Sequence, residues 1–235
     1  MRVLKVSTIV FFVIALAIFA FKNLFVSEQN REVKSFKHIY VSGPINVFLR
    51  QSDKESIRIR ADNNVHDKVI TEVIGDTLKI YDRIRIQRER VLDVYVDFVY
   101  LKSLHASGAS TLTGQGVLNI TELKVKTSAA AEVKLLIEGR SLDLLMTQAA
   151  NVQLAGKLDS LQFSIRGLGD LMAYNLTSKH CKAVLQTAPQ SPGIARINVT
   201  QTLDVQIKGP RLIKYKGNPK IINKILHENG KLTQY

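Results

Sequence analysis

The chain has 235 residues, 46% of them hydrophobic and 23% charged, with 13 Gly, 5 Pro, one Cys and no Trp. These proportions exclude a collagen-like repeat, a low-complexity chain and a disulfide-stapled miniprotein, and the lone Cys181 can neither close an intramolecular disulfide nor build a thiolate metal site. The formal net charge of +13, still +10 without Arg2, Lys5 and Lys22 of the N-terminal segment, favours anionic surfaces such as phospholipid or acidic polysaccharide without choosing among them.

Val6 to Phe21 is a 16-residue run without a charge, preceded by Arg2 and Lys5 and closed by Lys22. That is the pattern of a signal peptide or a signal-anchor helix. The run is short for a bilayer span, but Lys22 can snorkel and extend the usable stretch to about Val26. Ala15, Ala17 and Ala20 offer only a weak cleavage signal, so cleavage and retention both stay open. The expected organisation is a signal peptide or anchor over 1–26, a linker over 27–35 and one domain over 36–235.

From Phe36 onward the pattern has period two. Ile39-Val41, Ile45-Val47-Leu49, Ile57-Ile59, Leu78-Ile80, Ile84-Ile86 and Val94-Val96-Phe98 alternate with polar neighbours, which predicts strands with one buried face and very little helix.

An internal repeat decides how these strands are arranged. Leu104, Leu123, Leu142 and Leu161 fall 19 residues apart, each opening a short strand that runs into small residues and then a second strand. The small clusters are Ser107-Gly108-Ala109-Ser110, Ser128-Ala129-Ala130-Ala131, Gln148-Ala149-Ala150 and Arg166-Gly167-Leu168-Gly169, and Ser42-Gly43-Pro44 reads as an earlier copy. A unit of about 20 residues is too short for a helix pair and predicts one rung of a right-handed parallel β-solenoid. Leucines one rung apart would stack inside the coil, and corners stacked on corners would favour Gly, Ala and Ser. An antiparallel sandwich is the competing architecture. Residues 57–100 and the tail from Ile221 are the candidate end caps.

The ordered series Phe36-x-x-Ile39-x-Val41-Ser42-Gly43-x-Ile45-Asn46-Val47-x-Leu49, Ala61-Asp62-Asn63-Asn64, Gly75-Asp76-Thr77-Leu78-Lys79-Ile80, Ser107-Gly108-Ala109-Ser110 and Gly209-x-x-x-Ile213-x-Tyr215-x-Gly217-Asn218-Pro219 resembles the putative auto-transporter adhesin head GIN domain family over residues 33–232. The resemblance implies an exported bacterial β-solenoid with no established enzymatic activity and no catalytic residues to carry over. Together with the N-terminal segment this predicts a cell-envelope location, anchored in the inner membrane and facing the periplasm, or secreted if that segment is cleaved.

The five histidines, at 38, 66, 105, 180 and 227, have no metal-ligand spacing, so no metal or cofactor is expected. His105 could stack near Lys124 and Asp143, and His180 and Cys181 should point to opposite faces of a strand, which prevents them acting as base and nucleophile. Glu132, Asn151 and Asp170 should form a polar ladder on successive rungs, which supports the rival reading, a polysaccharide lyase or hydrolase on a parallel β-helix. The favoured reading is a non-catalytic, adhesin-like or structural envelope module. Its candidate ligand surface is basic: Arg83, Arg85, Arg88 and Arg90 around one hairpin, and Lys208, Arg211, Lys214 and Lys216 near the C-terminus. The expected partners are an acidic polysaccharide, another envelope component or a protein, with membrane contact through the N-terminal segment. Nucleic acid is not expected. The oligomeric state is left open.

Overall fold

A computed structural model describes residues 26–63, 65–83, 92–186 and 193–235. Its strands are β1 (Val26–Arg31), β2 (His38–Ser42), β3 (Asn46–Gln51), β4 (Ser56–Asp62), β5 (Val69–Ile74), β6 (Thr77–Asp82), β7 (Leu92–Phe98), β8 (Ser103–Ser107), β9 (Thr111–Thr127), β10 (Glu132–Gln148), β11 (Asn151–Gly167), β12 (Leu171–Gln186), β13 (Gly193–Lys208), β14 (Arg211–Lys216), β15 (Lys220–His227) and β16 (Lys231–Gln234). The described residues contain no α-helix, only a 3-10 turn at His66–Lys68. The expected signal or anchor helix at Val6 to Phe21 lies outside the described residues, and among them no helix is long and apolar enough to cross a membrane.

The protein is an all-β solenoid of about six turns. Strands β9 to β13 pair in parallel with their sequence neighbours, so each pass of the chain lays one coil on the last. Alternation along each strand sends one set of side chains inward, and the inward sets of all coils merge into a single apolar core. Leu142 lies in register with Leu123 and Leu161, and the stripe continues through Cys181, Leu203 and Ile221. Leu104 does not join it. The irregularity in β9 around Gly114 and Gly116 shifts the register, so Leu104 pairs with Val125 in the neighbouring stripe.

The corners follow the small-residue clusters. Gly43, Gly108, Ala129, Gln148 and Gly209 all take a positive φ, the left-handed turn that redirects the chain between walls. At Gly108 the requirement is doubled, because a Cβ there would lie 2.8 Å from the backbone nitrogen of Gly43 in the adjacent corner. Ala129 and Gln148 adopt the same turn with φ of 56° and 58° despite carrying side chains. Gln148 offsets part of that strain, since its Oε1 accepts a hydrogen bond from the Ala129 amide at 2.6 Å.

Chain order and spatial order part company at the N-terminal end. Strands β2 and β3 are sandwiched between β6–β7 on one side and β8–β9 on the other, all in parallel, so the excursion from 52 to 98 builds a coil outside the first one. Antiparallel strands then close this end: β4 pairs β7, β1 pairs β4, and β5 pairs β6. Strand β1 is therefore part of the cap. The tail from Ile221 extends the coil instead, with β15 laid parallel on β13 and β16 on β14.

Candidate functional site

Strand parity sorts the C-terminal basic residues. In β14, Arg211 and Ile213 point inward and are buried, while Lys214 and Lys216 are half-exposed on the outer face. Arg211 is thus removed from the expected ligand surface, being only 1% exposed. Its guanidinium donates from Nη1 to the Gly167 carbonyl at 3.1 Å and from Nη2 to the Gly169 carbonyl, tying the last coils to an earlier corner. Burial pulls its pKa below the ordinary guanidinium value, with Asp170 opposing that shift.

Lys216 lies over a pair of touching tyrosines. Its Nζ lies 4.7 Å from the ring centroid of Tyr174 and 5.0 Å from that of Tyr235, and the two rings are 5.4 Å apart. Register places Arg196 beside Lys214 on the same outer face, with Thr233 on its other side. The sequence from 205 to 227 contains six Lys or Arg and no carboxylate. Lys208 stands apart, 3.8 Å from Glu228. By contrast, the outward arginines near the other end are paired: Arg50 with Asp97 at 2.7 Å, Arg58 with Glu28 at 2.6 Å and Arg60 with Asp93 at 3.2 Å.

The two halves of the expected basic surface are not brought together. Arg83 is exposed just after β6, seven strand steps from Lys208 on β13, an axial distance of about 34 Å at roughly 4.8 Å per step. Arg85, Arg88 and Arg90 lie outside the described residues. Tyr174, Arg196 and Tyr235 complete the C-terminal face and were not singled out by the sequence pattern; alternation alone would have separated Arg211 from Lys214 and Lys216.

The polar ladder forms as expected but is occupied with the backbone. Glu132 is in register with Asn151. Asn151 Oδ1 accepts from the Asp170 amide at 3.0 Å, Asp170 Oδ1 accepts from the Ile194 amide at 2.8 Å, and Glu132 pairs with Lys134 at 2.9 Å. Asn151 and Asp170 thus cap corner amides, and Glu132 is held in an ion pair. Among the described residues no three His, Cys, Asp or Glu side chains gather as a metal site. His180 faces outward, 2.8 Å from Thr202 Oγ1, while Cys181 is buried with its thiol pKa pushed up by burial. His105 lies beside Lys126 rather than Lys124, because Lys124 pairs with Ser103.

A family model described as putative auto-transporter adhesin, head GIN domain, matches residues 35–219. The chain belongs to this family. No curated protein matches its sequence. A putative adhesin from Bacteroides fragilis NCTC 9343 shares 20% identity and a TM-score of 0.80, the match covering 89% of this chain and 97% of that one. A putative adhesin from Parabacteroides merdae ATCC 43184 gives 20% identity and 0.69 over 90% and 96%. A putative lipid binding protein from Parabacteroides distasonis ATCC 8503 gives 20% and 0.66 over 90% and 97%. At these identities the neighbours show that the head GIN domain shares their fold.

Proposed function

We propose that this head GIN domain is a non-catalytic, adhesin-like binding module of the bacterial cell envelope, delivered there by its N-terminal apolar segment, and that it grips an anionic polysaccharide. The observation that carries this reading is the Lys216 ammonium set over the Tyr174–Tyr235 pair with Arg196 and Lys214 alongside. Aromatic rings offer an apolar surface to the C–H face of a sugar, and the fixed cations match its carboxylates. Family membership and the adhesin names of the structural neighbours support it.

The test uses the full chain in mild detergent on immobilised polygalacturonate. Retention should fall as salt rises and fall further in the Lys214→Ala/Lys216→Ala variant. Retention indifferent to both would refute the basic face as the ligand site, and shortening of the polysaccharide would refute the absence of catalysis. Vesicles of phosphatidylglycerol are the comparison ligand, given the lipid-binding name of one neighbour; stronger partition onto them than onto polygalacturonate would overturn the polysaccharide assignment.

A further inference from the structure

At the opposite end of the rod, the outer face of the wall made by β5, β6, β2 and β8 carries a cleft of about 450 Å³ lined by Tyr40, Ser42, Glu72, Lys79, Tyr81 and Asp82. Register builds it. Glu72 opposes Lys79, Lys79 pairs with Tyr40 and Tyr40 with His105, so four side chains from four strands make one outward row. Tyr81 and Ser42 form the adjacent row. Both tyrosines are held: Tyr40 meets His105 edge to ring at 4.9 Å, and the Tyr81 hydroxyl donates to Glu72 Oε1 at 2.9 Å. The Asp82 carboxylate lies against Gly43, where any Cβ would overlap it, so the glycine leaves the carboxylate its place at the rim.

We propose that this cleft binds a neutral sugar residue of a glycan, at a site separate from the basic face. Its volume falls in the range of small-molecule sites, about 300–1,000 Å³. Two positioned aromatic rings supply apolar surface. Glu72 and Ser42 accept hydrogen bonds, and Lys79 and Ser42 donate them, a mixture of both kinds that suits a polyol. Within the lining Lys79 is the one cation and Glu72 opposes it, so an anionic sugar gains little attraction there. His105 adds none near neutrality, because burial and then Lys126 hold its pKa below the ordinary imidazole value.

The experiment is affinity electrophoresis of the full chain in detergent through gels containing galactomannan, laminarin or amylose. At least one should retard the protein, and the retardation should persist at about 0.5 M salt, where exposed charges are screened. Tyr40→Ala and Glu72→Gln should each weaken it about tenfold or more. Tyr81→Phe keeps the ring and loses the donor; melting like the wild type, it should bind more weakly. Lys214→Ala/Lys216→Ala should bind as the wild type, which separates this site from the basic face. No retardation by any of the three, or equal retardation of wild type, Tyr40→Ala and Glu72→Gln, would overturn the proposal.

Discussion

Truncating Leu142 to Ala tests the stacked core directly. Leu142 is 1% exposed, with Leu123 on one side and Leu161 on the other in the same inward stripe. Losing three carbons costs about 2.4 kcal/mol at roughly 0.8 kcal/mol each. The hole adds to this, because the coils are held about 4.8 Å apart by backbone hydrogen bonds and cannot settle into the gap. The loss should therefore reach the upper part of the range for buried Leu→Ala, about 3–5 kcal/mol. Ile221 belongs to the same stripe but sits on the last coil, 39% exposed and stacked only on Leu203. Ile221→Ala should cost about 1–1.5 kcal/mol, since much of the side chain is already wet and no closed cavity results. Urea unfolding followed by circular dichroism reads both as shifts in midpoint at constant slope. Equal shifts for the two variants, or a Leu142→Ala cost below about 1.5 kcal/mol, would refute the stacked-coil account of stability.

Ala129→Gly should raise stability by about 0.5–1 kcal/mol by relieving a left-handed φ, whereas Gly169→Ala should lower it by about 2 kcal/mol or more because its Cβ would collide with the Ala150 carbonyl; the same urea titration checks both. His105 has a depressed pKa in the folded chain, so below the ordinary imidazole pKa the unfolded state takes up a proton that the folded state resists, and stability falls as pH drops. His105→Gln should therefore lose less melting temperature than the wild type between pH 7.5 and pH 5.5, measured by calorimetry. Lys224 stacks on Val205 in an inward position of the last coil, where a charge disfavours addition of a further strand, so Lys224→Ile should give concentration-dependent self-association in sedimentation velocity.

What the sequence made legible was whatever repeats. Leu123, Leu142 and Leu161 must be alike because each packs on the next, and the Ser-Gly or Ala-Ala corners must be small because they stack. The placement of β6–β7 outside β2–β3 was not legible, since pairing between strands some forty residues apart leaves no local pattern. Outward positions carry no stacking constraint of this kind. Tyr174, Lys216 and Tyr235 meet only because separate coils share one wall, and Glu72, Lys79, Tyr40 and His105 meet only through register. Arg211 shows the converse: a cation counted with its basic neighbours by composition is assigned to the interior by parity with Ile213.

That division of labour bears on how such a module would hold a polymer. The inward stripes fix the rise per coil, so the cleft at Tyr40 on β2 and the basic face on β13–β14 are offset by about six strand steps, roughly 30 Å, along the axis, and they lie on different walls of the coil. If both proposed surfaces bind glycan, a chain bearing neutral and acidic sugars that is long enough to pass from one wall to the other would meet the second surface at raised effective concentration, with little further ordering of the protein. A fragment too short to span the gap gains nothing from the second surface. On those two proposals, long mixed-charge glycans should be retained more strongly than their short pieces, with neither surface required to bind tightly by itself.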